Sequence, residues 1–236
     1  MSCQTDIRVL FCSQDNPRIV LDPQGYYAQF GLDISAGRAT IPAVKSLLAS
    51  CRDADFPIFW TREGHRADLS SLPERELLRS RLAGAEIGSK GPLGRLLIRG
   101  EPGWEIVPEL DPKEGEPIVD KPMRSAFAYT DFELLLNNRG IRNLILCGVV
   151  TDVCVLGTMK DACDKGYDCL LVTDACAAAA KDVHDAIVKS VITEGGICGA
   201  AAEAKHVVDV LQMWRSHAEE KKGIAMVEEI MKMARG

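Results

Sequence analysis

The sequence predicts a three-layer α/β/α sandwich with a mainly parallel, Rossmann-like central sheet. Three observations predict it. Short apolar runs alternate with longer amphipathic stretches along the chain. One run, Asn143–Val150 (NLILCGVV), is apolar nearly throughout, as a strand covered on both faces must be. Several amphipathic stretches stop at Gly, the residue that best ends a helix. Strand–helix alternation with right-handed crossovers gives a parallel sheet between two helical layers.

The strands are expected at Ile7–Cys12, Pro57–Thr61, Pro117–Asp120, Asn143–Val150 and Cys169–Thr173, with a weak one at Ile197–Cys198. Between the first two, Ile41, Val44, Leu47, Leu48 and Cys51 repeat at three and four, which is helical spacing. Asp131–Asn138 reads as a helix stopped by Gly140, Thr158–Lys165 as one stopped by Gly166, and Lys181–Glu194 as one stopped by Gly195-Gly196. Two regions break the rhythm. Glu63 to Gly115 is rich in Gly, Pro and charge, and is expected to hold a short helix at Pro73–Leu82, a possible hairpin and much loop. Such an insertion is commonly a lid or an oligomer contact. Trp214 to Gly236 is helical by composition, with a stripe of Ile224, Val227, Ile230 and Met231. It reads equally as a helix docked on its own domain or as a subunit arm. The expected division is a domain over 1–212 and a helical extension over 213–236.

Composition sets the limits on function. The chain has 236 residues, 47% hydrophobic and 26% charged, so it can bury a full core without metal or disulfide. A net charge of −6 with no basic cluster argues against nucleic acid and anionic membrane as partners. No run reaches the roughly 18–20 apolar residues of a membrane helix, and the first residues do not read as a signal peptide. Nine Cys occur with no C-x-x-C pair, which suggests reduced thiols packed as small hydrophobes in a cytoplasmic protein.

Common chemistries are excluded by motif. The chain lacks G-x-x-x-x-G-K, a G-x-G-x-x-G after the first strand, G-x-S-x-G and H-E-x-x-H. Asp182-Val183-His184 is expected on a helix surface, where residues two apart do not face each other. The informative stretch is Leu144–Val155, LILCGVVTDVCV. A buried strand ends near Gly148 and a helix follows from about Asp152. Cys154 then lies in its first turn, where unpaired N–H groups and the helix dipole lower a thiol pKa. Periodicity alone favours a buried structural thiol. Lys121 in PIVDK follows another short strand at the same carboxyl edge of the sheet. It can snorkel harmlessly or stabilise a neighbouring thiolate.

VDKP, Ser125-Ala126-Phe127 and GVVTDVCV resemble the isochorismatase-like cysteine hydrolases, over about Val9 to Leu211. That family holds nicotinamidases, N-carbamoylsarcosine amidases, ureidoacrylate amidases and biuret amidohydrolases. TREGHRADL, RGEPGWEIVPEL and TDFELLLNNRGIRNLILCGVVTDVCV are most similar to the biuret and ureide branch.

The resemblance implies an Asp–Lys–Cys triad in which Cys154 is the nucleophile and Lys121 the lysine. It implies an oxyanion hole from the backbone N–H groups of Val150 and Cys154, with a cis peptide at Val149–Val150. The family's D-x-Q-x-D-F is replaced here by DNPRIV, and gap-free spacing makes Asp15 the triad carboxylate. Asp22, in a literal D-x-Q, is the other reading. Glu194 replaces a branch Gln and is a candidate substrate contact. The D-x-H of metal-binding nicotinamidases is not found around His65, so neither metal nor other cofactor is expected. His65 and Arg62 read as residues of the site mouth or of the surface. The implied reaction is hydrolysis of a small linear amide or ureide through a thioester, with release of ammonia. A non-catalytic relative and a metal-independent nicotinamidase-like amidase are the alternatives. A homo-oligomer, dimer or tetramer, is expected.

Overall fold

The computed structural model describes residues 7–14, as backbone, and residues 34–216. Six strands form one parallel sheet in the order β5-β2-β1-β6-β7-β8. They are β1 (Ile7–Gln14), β2 (Ile58–Glu63), β5 (Ile118–Lys121), β6 (Asn143–Val149), β7 (Asp168–Ala177) and β8 (Ala200–Ala202). The helices are α1 (Ser35–Ala39), α2 (Ile41–Asp53), α3 (Glu74–Leu82), α4 (Phe132–Asn138), α5 (Leu156–Asp164), α6 (Lys181–Ile192) and α7, residues 204–216. The strand order runs outward in opposite directions from the β1–β6 pair. Right-handed crossovers therefore lay α2 on one face and α4, α5 and α6 on the other.

The two faces bury what their spacing predicts. Val44, Leu47, Leu48 and Cys51 of α2 are buried, as are Phe59 and Trp60 of β2 and the whole of β6 beyond Asn143. Burial of each such large side chain is worth about 1.5–3 kcal/mol. On the opposite face Phe132 stacks edge-on against Phe59 and Phe127, at 5.8 and 5.0 Å between centroids. Trp214 of α7 meets Phe56 edge-on at 4.9 Å, which anchors that helix beside the end of α2. Asp174 accepts a hydrogen bond from the Ala204 N–H, capping α7. Residues 213–216 continue α7; the stripe from Ile224 to Met231 lies outside the described residues. No described helix is long and apolar enough to cross a membrane.

Two expectations about strands are corrected. The last strand is Ala200–Ala202, not Ile197–Cys198. Ile197 is exposed in a turn, and Gly199 takes φ 121° so close to the Cys169 carbonyl that a Cβ would collide with it. Three alanines carry little hydrophobic signal, yet they pair with Leu170–Val172. Strand β7 runs on to Ala177, past the expected end at Thr173, because the ladder to β6 resumes after a register shift.

The insertion after β2 holds α3, a short antiparallel hairpin of β3 (Lys90–Gly91) and β4 (Gly94–Arg95), and two 3₁₀ turns. Ile87, Leu96 and Leu97 give it a small core of its own. Glu76 of α3 ties it down. Its buried carboxylate accepts from Arg75, Arg79 and Arg124, and the guanidinium groups of Arg124 and Arg79 hold its pKa down at about 2.

Candidate active site

The site forms where three strands end at the carboxyl edge of the sheet. Residues that are Cα partners on adjacent parallel strands project to the same side. Glu63 closes β2, Lys121 closes β5, and they are such partners. Cys154 lies beyond the end of β6, in a π-helical turn, Thr151–Val155, that leads into α5. The strand order reverses between β1 and β6, so Cys154 occupies the switch point where α/β sheets bind ligands. The Val149–Val150 peptide is cis, as the resemblance implies.

Glu63 links the elements. Its Oε2 accepts from Cys154 Sγ at 3.5 Å and stands 3.5 Å from Lys121 Nζ. The Lys121 side chain is fully buried, and its ammonium also donates to the Met123 carbonyl at 2.7 Å. A buried ammonium requires such partners, because desolvation of an unpaired one costs several kcal/mol. This partnered environment distinguishes Cys154 from other thiols of the chain. Burial pushes Cys51 up to about 12 and raises Cys163 and Cys169 as well, so these stay protonated at neutral pH.

Neighbouring residues fix the walls. The Thr158 hydroxyl accepts from the Ala126 N–H at 3.0 Å, holding the Ser125-Ala126-Phe127 segment against α5. Arg124 has its charged form stabilised first by Glu76 and then by the fields of Glu63 and Cys154, so its guanidinium lies within electrostatic reach of the thiol. Arg62 stacks on Trp104 at 3.5 Å and pairs with Glu105 and Asp120, so it belongs to the structural frame of the insertion. His65 is buried, with Nδ1 3.1 Å from the Ser71 carbonyl, and desolvation lowers its pKa.

The structure brings Lys121 and Cys154 together around one oxygen, and it places Val150 and Cys154 in the same turn. Asp15 and Asp22 lie outside the described residues; β1 ends at Gln14, opposite Val149. Glu194 is not brought to the thiol. Helix α6 starts near the site and carries the chain back, so Glu194 lies exposed before β8, at the amino edge of the sheet. The resemblance carried no information about that direction. His184 is not the bare surface residue expected from its spacing. Its Nδ1 is 2.8 Å from the Thr151 hydroxyl, in the turn that carries Cys154.

Sequence reasoning missed Glu63 and the role of His184. The signal for Glu63 was present. TREGHR places a carboxylate at the end of a strand, at the same carboxyl edge as Lys121 in a parallel sheet, but which strand lies beside it is set only by the fold. Thr151–His184 bridges 33 residues and left no local signal.

Comparison with known proteins bears on the family and the fold. The Isochorismatase domain model matches residues 18–203. The chain belongs to the isochorismatase family. It is an amidohydrolase of that family by its likeness to ureidoacrylate amidohydrolase RutB from Azorhizobium caulinodans, 32% identical over 187 residues, with 77% of this chain and 82% of that protein covered. The fold matches a cysteine hydrolase from Pseudomonas syringae pv. phaseolicola, TM-score 0.73 at 22% identity, covering 88% of this chain and 93% of that one. It also matches an isochorismatase family protein from Desulfovibrio vulgaris, TM-score 0.71 at 28% identity, covering 86% and 97%.

Proposed function

We propose that this family member cleaves the C–N bond of a small linear amide or ureide through a thioester on Cys154, releasing ammonia. The observation that carries the reading is a fully buried Lys121 sharing a carboxylate oxygen with Cys154 at the switch point of the sheet. A thiol placed there is a usable nucleophile, because the ammonium favours thiolate formation.

In this reading the Cys154 sulfur attacks the amide carbonyl. The N–H groups of Val150 and Cys154 receive the developing oxyanion, an effect of about 3 kcal/mol per donor. Asp15 completes the triad as a carboxylate partner of Lys121 and Cys154. The tetrahedral adduct expels ammonia, and water hydrolyses the thioester. A linear ureide related to ureidoacrylate is the first substrate to try, because the ureidoacrylate amidohydrolase is 32% identical. The active form is a homo-oligomer.

The test is ammonia release from a panel of ureidoacrylate, biuret, simple linear amides and nicotinamide. Turnover of a linear ureide or amide, lost in Cys154→Ala, supports the reading. Release confined to nicotinamide overturns the substrate class. Asp15→Asn is expected to lower turnover at least about tenfold, and Asp22→Asn to leave it unchanged.

A further inference from the structure

We infer that His184 is a positioning residue of this site, which holds the turn carrying Cys154 through the Thr151 hydroxyl. The inference rests on the amidase reading and extends it to a helix outside the triad. Thr151 is the second residue after the cis bond's first partner, Val149, and it opens the π-helical turn Thr151–Val155. Val150, which caps that turn, and Cys154, within it, supply the oxyanion donors in the amidase reading. The turn's own backbone holds it by long bonds. The Val150 carbonyl accepts from the Val153 and Val155 N–H groups at 3.3 Å each, against about 2.9–3.0 Å for an ordinary N–H···O bond. A shorter contact comes from outside the turn. Thr151 is fully buried, and its hydroxyl stands 2.8 Å from His184 Nδ1, 33 residues along the chain.

The helix that carries the imidazole is itself anchored. His184, Ile187, Val188 and Val191 share one face of α6 by their three- and four-residue spacing. Val191 is fully buried, and Ile187 and Val188 pack on the main core. His184 is the polar residue of that face, placed where α6 begins after the carboxyl end of β7. It also borders an open cleft with Thr173, Asp174 and Glu203, so truncating it seals no cavity into the core. A fixed helix thus sets the position of the turn through one hydrogen bond. The consequence is specific to the reacting state. The oxyanion exists only once sulfur has attacked, so donors displaced from it lower kcat and leave substrate binding unchanged.

A histidine that only satisfies a buried hydroxyl would sit in the same place, and the test separates the two roles. The variants are His184→Ala, His184→Asn, His184→Gln, Thr151→Val and the Thr151→Val/His184→Ala double variant. Ammonia release gives kcat and KM, and each melting temperature is recorded. Asn sets a polar atom where Nδ1 stood, and Gln sets one where Nε2 stood. His184→Ala is expected to lower kcat by about 10–10²-fold with KM within about threefold of wild type. His184→Asn recovers at least about fivefold of that loss, and His184→Gln does not. The double variant stays within about twofold of the slower single variant, because both substitutions remove the same bond. A His184→Ala enzyme within about threefold of the wild-type kcat, a loss confined to KM, equal rescue by Asn and Gln, or single losses that multiply overturns the assignment. If His184→Ala does not fold, the Asn and Gln variants decide. Turnover retained in Cys154→Ala, or no ammonia from the wild type, overturns the amidase reading instead. The rate of Cys154 alkylation by iodoacetamide at fixed pH then decides the His184 assignment. It holds where His184→Ala and His184→Gln change that rate at least about threefold and His184→Asn does not. It falls where the wild type and all three variants react alike.

Discussion

Strands β2 and β5 carry a charged cluster at each end, and the two clusters are held in opposite ways. At the amino end, Glu116 is saturated. It accepts from Arg52 Nε at 2.7 Å and Nη2 at 3.0 Å, from Trp60 Nε1 at 2.8 Å and from the Lys113 N–H at 3.0 Å. At the carboxyl end, Glu63 meets Lys121 and Cys154 at 3.5 Å each. The same pair of strands thus offers a tight cluster and a loose one. Short, charge-assisted bonds fix a group in one protonation state and one geometry. Longer contacts to an ammonium and a thiol hold the Glu63 carboxylate less tightly. The difference sets a tightly held end against a loosely held one, and the loose end is the one proposed to carry the chemistry.

The largest expected effect separates the two ends by activity. Cys154→Ala removes the proposed nucleophile and little volume. Its turnover should fall by at least about 10³-fold, while its melting temperature stays near that of the wild type. An active Ala variant would show that the loose end is not the reacting one. Lys121→Met comes next, since it removes the buried charge beside the thiol. We expect a loss of at least about 10²-fold in kcat/KM, with the alkylation midpoint of Cys154 moving to higher pH. Labelling that stays at the wild-type midpoint would dissociate Lys121 from the thiol.

Glu116→Gln tests the tight end. Breaking a partly buried, charge-assisted network costs about 2 kcal/mol, which in a chain of this length lowers the melting temperature by about 4–8 °C. Its kcat should stay within twofold of wild type. A large fall in kcat without loss of stability would erase the distinction between the ends.

The smallest effect lies in pH. Burial lowers the pKa of His65 and of His184; Asp185 opposes the shift at His184, and Lys181 adds to it. For a histidine with a depressed folded pKa, the unfolded chain takes up the proton first. Stability is therefore complete above the ordinary value of about 6.5 and declines as pH falls below it. Denaturant midpoints measured from pH 7.5 to 5.5 should show this decline, and His184→Asn should make it shallower. An identical slope in that variant would remove His184 from the account.

The sequence by itself determined the layered parallel sheet and most element positions. Apolar runs such as NLILCGVV and the three-and-four spacing of Ile41, Val44, Leu47, Leu48 and Cys51 are local properties of the chain. It also singled out Lys121 and Cys154, because strand ends and helix starts are local too. The weak strand was misplaced because Ala200–Ala202 has almost no hydrophobic contrast, and only pairing with Leu170–Val172 makes it a strand.

Tertiary structure alone decided the rest. Glu63, Lys121 and Cys154 span 91 residues, and their meeting depends on the β5-β2-β1-β6 strand order and on the β2–β5 register. A register slip of one residue would turn Glu63 to the other face of the sheet. Glu194 moved away for the same kind of reason, since the direction of α6 sets which edge its end reaches. Sequence spacing reports which residues can share one element. Which elements share an edge is fixed by crossover hand and by burial of both sheet faces, and those exist only once the chain has folded.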